Sequence, residues 1–195
     1  MAGKYRKQKN AELSFGYAME KFILYAASLG LGMVWLAATM DRSAFEKAIH
    51  MGADEVMPAV TPLGIDAEKR CVRESLMRRG MKSDSRLPFD VHFFRDAFTT
   101  PFREEQAGVW KLPMEMDRLA PSASNKQPWR AVVQGGRVHF HDQKTRGYAK
   151  ESTGEIQKVD LGIALCHFQL AAQESGIAGS FIQSDPGIQV PEDAE

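Results

Sequence analysis

The chain is short of cysteine, of net charge and of export signals, and each shortage closes off a class of function. Its two cysteines, Cys71 and Cys166, lie far apart without metal-ligand spacing. A disulfide framework and a zinc ribbon are therefore excluded, and reduced thiols in a cytoplasmic protein are expected. Lysine plus arginine balance aspartate plus glutamate at 25 each, for a formal net charge of zero. Without a bulk positive field, no nucleic-acid partner is expected. The opening residues are basic and polar (Lys4, Arg6, Lys7, Lys9), with no apolar run and small-residue cleavage site close behind them, so no signal peptide is expected. Ser-His-Asp order, a Walker loop, a paired-carboxylate motif and a low-complexity linker are all missing. His139 and His141 share one face of a strand but lack a third ligand at a set spacing, so no metal site is expected.

Residues 22–40 carry no charge and are about long enough to span a bilayer. Gly30 and Gly32 break that run in the middle, which favours a buried helix over 16–29 followed by a glycine turn and a separate extended piece. No membrane partner is expected.

An internal repeat supports the helix. Gly16 aligns with Gly162, Ala18 with Ala164, Phe22 with Phe168, Leu24 with Leu170, Gly30 with Gly176 and Trp35 with Phe181, at a constant offset of 162 − 16 = 146. Each copy reads as a helix ended by glycine and followed by an apolar strand. The second copy holds His167, Gln169, Gln173 and Glu174, which a bilayer penalises, and small residues along both helices suit close packing as a pseudo-two-fold pair. His167 reads as a satisfied core or interface histidine.

Between the copies, Asp41 or Ser43 caps a short helix reaching His50. Residues 55–60 read as a strand and 62–64 as a turn. Asp66 opens a basic helix with Lys69, Arg70, Arg73, Arg78 and Arg79, a solvated face. Residues 91–102 are rich in Phe and fill a core or cover a ring, and 104–119 form a helix interrupted at Pro113. Gly135-Gly136 marks a hairpin turn, and residues 144–157 form a polar loop. The fold class is α+β: a central, mostly antiparallel sheet from segments near 56–60, 129–134, 137–141 and 180–183, flanked by helices. The chain is one domain over 1–195, with a partial first half over about 1–100 and a second half over about 101–195.

Residues 118–129, Arg-Leu-Ala-Pro-Ser-Ala-Ser-Asn-Lys-Gln-Pro-Trp, concentrate the special chemistry. Pro121 stops the preceding helix, Ser122, Ser124 and Asn125 favour local side-chain-to-backbone bonds, and Pro128 biases Gln127 towards an extended conformation. A loop of this kind places hydroxyls and an amide on a rigid scaffold, as the polar edge of a flat ligand requires; as an ordinary connector it would need the same turn residues.

This loop resembles the signature loop of the FMN-dependent nitroreductase superfamily. Gly30-Leu-Gly-Met-Val-Trp35 and Val60-Thr-Pro-Leu-Gly64 resemble the branch of it whose single chain carries two fused nitroreductase-like halves. The resemblance spans nearly the whole chain. It implies a nitroreductase-like fold, FMN as cofactor, NAD(P)H as electron donor and a small-molecule acceptor such as a nitroaromatic or a quinone. It further implies that Pro121, Ser122, Ala123, Asn125 and Gln127 line the flavin ring and that the backbone of Trp35, Leu36 and Ala37 lies near N5. Lys82 and Arg86, similar to the family's Lys-x-x-x-Arg pair, would hold the phosphate. No catalytic side chain is implied, because the flavin carries the chemistry. The family's Arg-rich opening segment has no counterpart here, since the first-half equivalent of Pro121 falls at 121 − 146 = −25, before Met1. The alternative is a non-catalytic flavin-binding or interaction protein left by loss of that segment. A monomer with pseudo-two-fold symmetry and a homodimer both fit.

Overall fold

The computed structural model describes residues 1–69 and 71–192; Arg70, which the sequence places on the basic helix, lies outside them. In chain order, β1 (Tyr5–Arg6) leads into α1 (Ala11–Ser28), β2 (Gly32–Met33), α2 (Arg42–Ala48), β3 (Glu55–Val56), β4 (Leu63–Gly64), α3 (Val72–Gly80), α4 (Phe89–His92), β5 (Phe93–Arg95) and β6 (Ala97–Pro101). Two 3-10 turns then precede α5 (Lys111–Leu119), and β7 (Trp129–Gln134), β8 (Arg137–Asp142), β9 (Ala149–Lys150), β10 (Gly154–Glu155) and α6 (Ile156–Glu174) complete the order.

Helix α6 is the centre of the packing. From Ile156 to Ala172 it buries nearly every side chain, the polar Gln157 and Asp160 included, because α1 covers one flank while α5 and the sheet cover the others. The α1–α6 crossing is close because of two glycines. A methyl carbon on Gly16 would collide with the Val159 carbonyl, and one on Gly162 would collide with the Leu13 carbonyl and the Tyr17 amide. These contacts exchange under the repeat offset, 159 − 146 = 13. The helix ends match as well. Leu31 N donates to Ala26 O (3.1 Å) and Gly30 N to Ala27 O (2.9 Å), while Ile177 N donates to Ala172 O (2.8 Å) and Gly176 N to Gln173 O (3.0 Å). Both are Schellman closures with glycine at positive φ, 76° at Gly30 and 72° at Gly176.

The two helices differ in what surrounds them. Phe168 sits in a cluster with Phe93, Met114 and Ala131, stacked on Trp110 at 5.9 Å and edge-on to Phe140 at 5.0 Å. Its repeat partner Phe22 is 37% exposed, and Tyr25 and Leu29 beside it are 63% and 60% exposed. The expectation of a buried helix over 16–29 is thus corrected. Helix α1 begins at Ala11 and wets one apolar stripe, because α6 occupies a single face of it and nothing among the described residues covers the other.

The main sheet has the order β6-β5-β7-β8, with β5 parallel to β7 and the other two pairings antiparallel. Gly135 and Gly136, at φ 56° and 74°, form the expected hairpin turn between β7 and β8. Four local expectations need correction. The segment near 56–60 lies outside this sheet: β3 pairs with β1, and Val60 bridges Ala2 and Leu36. Residues 180–183 form no strand; Phe181 and Ile182 are exposed, and Phe181 meets the edge strand β8 through its ring, edge-on to Phe140 at 6.0 Å, rather than through a ladder. The 62–64 turn is instead partly β4, paired with β2. Helix α5 is not interrupted at Pro113, which lies in its first turn where no intrahelical N–H is needed; residues 104–110 before it are 3-10 turns instead.

The Asp41 cap on α2 is as expected, its carboxylate accepting from Ala44 N. The basic helix starts later than Asp66, at Val72 behind a Cys71 cap. Among the described residues no helix is long and apolar enough to cross a membrane, and no group of three or more metal-ligating side chains occurs. Cys71 and Cys166 are both free.

Candidate functional site

After α5 the chain turns sharply. Ser122 is extended, residues 123–125 make one 3-10 turn, and Ser124, Asn125 and Gln127 take positive φ of 50°, 54° and 51°. Left-handed backbone at a non-glycine residue costs on the order of 1–3 kcal/mol and persists only where surroundings enforce it. Here they do. Ser122 Oγ accepts from Gln127 N at 2.9 Å, Gln127 Oε1 accepts from Leu87 N at 2.9 Å, and Gln127 Nε2 donates to Asn125 O at 3.3 Å. From α6, the buried Asp160 accepts from Ala123 N with both oxygens, at 3.0 and 3.1 Å.

A second segment closes on this loop. The Asn125 amide donates to Lys82 O (2.7 Å) and Ser85 O (3.0 Å), and its Oδ1 lies 3.4 Å from Arg86 Nη1. Lys82 and Arg86 are thereby brought against the signature loop. Arg86, however, spends its fork on carbonyls. It donates to Leu119 O from Nε (3.1 Å) and Nη2 (2.9 Å), and to Ser83 O and Ser85 O from Nη1. Burial, then Arg118, lower the Arg86 pKa, with Arg78 adding to the effect and Asp84 opposing it. Three guanidiniums thus share one neighbourhood, although Arg118 is paired with Glu115 at 2.6 Å and Arg78 with Asp84.

Trp35, Leu36 and Ala37 approach from the segment after β2. Trp35 and Ala37 pack against the same apolar cluster as Ala123, built around Trp129 and the first half of α6. Their polar groups are also engaged. Trp35 Nε1 donates to the buried Glu20 at 2.8 Å, Leu36 N and O pair with Val60 at 2.9 Å each, and Ala37 O accepts from Arg42. Glu20 also faces His167 Nε2 at 2.8 Å, so that histidine is the satisfied interface residue expected of it.

Two residues of the site escaped the sequence reading. His92, on α4, is fully buried and stacked on Trp129 at 5.5 Å. Its Nδ1 faces Trp129 O at 3.1 Å and its Nε2 faces Gln127 Oε1 at 3.4 Å. Two facing oxygens favour the imidazolium, but burial and then Arg130 outweigh them and push the pKa down to about 4. A lone histidine in a Phe-rich stretch gives no sequence signal of this. Asp160 does have one, a carboxylate in the first turns of a helix whose positions are mostly apolar. Burial above all, with the neighbouring Asp142 adding, raises its pKa well above the carboxylate range against the opposing Ala123 bond.

Two clefts lie away from these residues. A cavity of about 720 Å³ opens between the end of β8, the 144–149 loop and the start of α6, and another of about 400 Å³ lies beside Phe94 and Phe98. None of the ten residues predicted to bind cofactor lines either one.

The family described as "Putative TM nitroreductase" matches residues 1–172. The chain belongs to that nitroreductase family. A crystal structure described as a "putative nitroreductase" from Thermotoga maritima shares the fold at a TM-score of 0.61 and 23% identity, over 99% of this chain and 67% of that one. No curated protein matches. Membership accords with an α+β, nitroreductase-like arrangement of the helices and strands described above and with an oxidoreductase class.

Proposed function

We propose that the chain is an FMN-dependent NAD(P)H oxidoreductase of nitroreductase type, acting on a nitroaromatic, quinone or similar acceptor. The observation that carries this reading is the meeting of the 121–127 loop with Lys82 and Arg86 through Asn125. The donor set fits FMN best at its phosphate end. Lys82 is exposed and Arg86 half-buried, Arg118 and Arg78 stand near Arg86, and a dianion placed there would offset their positive charge. Pro121, Ser122, Ala123, Asn125 and Gln127 would border the ring, with the backbone of residues 35–37 opposite. Bound flavin would supply hydride acceptance from NAD(P)H and electron delivery to the acceptor. The protein's own residues bind and orient: Asp160 holds the Ala123 amide in place, Gln127 ties the loop to Leu87, and His92 stays neutral beneath Trp129.

The finer reading includes two fused halves related by the 146-residue offset about a pseudo-two-fold axis, with sheet and helices as one domain over 1–195. It also includes a cytoplasmic location, no membrane or nucleic-acid partner, and either a monomer or a homodimer. The reciprocal glycine contacts and matched helix closures support the repeat.

One observation favours a second reading, a non-catalytic flavin-binding or interaction protein. Asn125, Ser122, Arg86 and the Leu36 backbone already satisfy one another or their neighbours. Reconstitution separates the two. The purified chain, incubated with excess FMN and desalted, should keep a flavin absorbance band that NADPH bleaches under argon and a quinone restores. A colourless protein rules out the enzyme reading for this chain, and a coloured one that NADPH cannot bleach supports the alternative.

A further inference from the structure

The 35–37 segment, which would face the flavin, belongs to an antiparallel ribbon. Gly32 pairs with Gly64, Met33 with Leu63 and Leu36 with Val60, so a single register runs from 32 to 36. Two prolines interrupt its hydrogen bonds. Opposite Val34 the register places Pro62, which has no amide. The Thr61 hydroxyl fills that gap, accepting from Val34 N at 3.2 Å and donating to Pro62 O at 2.9 Å. Beyond the Leu36–Val60 pair the register places Pro58 opposite Ala38, so the next ladder bond has no donor on that strand either.

Arg42 holds this open end. From the first turn of α2, where the Asp41 cap fixes the backbone, its Nη2 donates to Ala37 O (3.2 Å) and Pro58 O (3.4 Å), and its Nη1 to Met57 O and to Ser152 O (2.9 Å). Glu46, one turn further along α2, lies 3.6 Å from Nη1. Three segments therefore meet on one guanidinium whose side chain is 21% exposed. They are the flavin-facing backbone, the buried 57–60 run, and the turn between β9 and β10 that leads into α6. A planar fork with five donors can bridge four carbonyls at once, which the three donors of a lysine ammonium cannot.

We propose that Arg42 is a positioning residue for the flavin site. By bridging Ala37 O to the carbonyls of residues 57 and 58 it fixes where the 35–37 backbone stands against the ring, and through Ser152 O it couples that placement to the β9–β10 turn. The role rests on the flavin reading above, and it requires no contact between Arg42 and the flavin.

The test compares Arg42→Met, which keeps the apolar stem and deletes the fork, with Arg42→Lys, which keeps the charge. In the chain without flavin, amide exchange at Leu36 and Val60 should quicken about tenfold or more in Arg42→Met and less in Arg42→Lys. After FMN is added, NADPH should bleach the flavin about tenfold more slowly in Arg42→Met. The visible band and midpoint potential of the bound flavin should shift as well, and Arg42→Lys should recover part of each effect. Unchanged exchange at Leu36 and Val60 overturns the proposal without reference to flavin. Faster exchange beside a wild-type potential and bleaching rate also overturns it, since Arg42 would then serve the fold alone. A wild-type chain that retains no FMN sinks the flavin reading and this role with it, and that outcome is visible before any variant is made. Should Arg42→Met fail to fold, Arg42→Lys carries the same comparisons.

Discussion

Gly162→Ala puts a single carbon into the tightest seam of the molecule. The added carbon would press on the Leu13 carbonyl and the Tyr17 amide, and because both are backbone, no side-chain rotation relieves the collision. The helices must part instead. A gap of about 0.5–1 Å forfeits a quarter to a half of each dispersion contact along a seam, and overpacking of this kind costs roughly 1–3 kcal/mol. Alanine returns about 1 kcal/mol of helix propensity over glycine. Since the obstacle is rigid, the upper end applies, and the net destabilisation is about 2 kcal/mol. At roughly 2–4 °C per kcal/mol for a chain of this size, Tm should fall by about 4–8 °C, measured by circular dichroism at fixed scan rate. Gly16→Ala meets the Val159 carbonyl and should behave alike. The double variant should lose less than the sum, because the first substitution has already opened the seam. Gly80→Ala, in a helix with nothing within 4 Å, is the control and should be neutral or stabilising. A Gly162→Ala protein as stable as the wild type would refute the close-packed crossing.

Arg86→Ala should weaken FMN retention by about 1.5–3 kcal/mol with Lys82→Ala acting in the same direction, read by flavin fluorescence on dilution; it should also lower Tm by freeing Leu119 O. Asn125→Ala should cost about 0.5–2 kcal/mol of stability as a lost cap of the 82–85 turn; a shifted potential in any flavin still bound would add a ring contact, whereas an unaltered potential assigns the residue to the loop alone. His92 is held neutral, with its folded pKa lowered from 6.5 to about 4. The unfolded chain therefore binds the extra proton first, and stability is full above pH 6.5 and falls as pH drops towards 4, by about 3 kcal/mol in all. Urea melts of wild type and His92→Gln over that window should converge at low pH. Asp117, buried with its pKa raised by desolvation and both oxygens without partners, pulls the other way, with stability falling as pH rises above the usual carboxylate range; Asp117→Asn should flatten that fall.

What could be read from the sequence was whatever local chemistry dictates. The helix stops at Gly30 and Gly176, the Asp41 cap, the Gly135-Gly136 hairpin and the strand after Pro128 all follow from residues that admit few backbone conformations. The small residues aligned at the 146-residue offset also pointed to the packing of α1 against α6. Strand partners were not legible, because β5 runs parallel to β7 across 33 intervening residues (129 − 95 − 1) and no short-range signal encodes such a pairing. The extent of burial around α1 was equally hidden. Phe22 and Phe168 are the same residue at the same repeat position, and only their neighbours make one wet and the other dry. Within the site, the residue types around Lys82, Arg86 and Asn125 were readable, while their engagement with one another was not. Whether an amide serves a ligand or its own loop depends on the carbonyls of residues 82 and 85, more than 35 positions away.

The wetted stripe of α1 governs behaviour in the tube as much as in the fold. Phe22, Tyr25 and Leu29 add apolar surface to a molecule whose formal charge is zero at neutral pH, so no long-range repulsion keeps two such stripes apart. Salting-out by sulfate or phosphate should therefore begin on that helix. A buffer a unit or two away from pH 7 would hold the protein in solution better than any change of temperature.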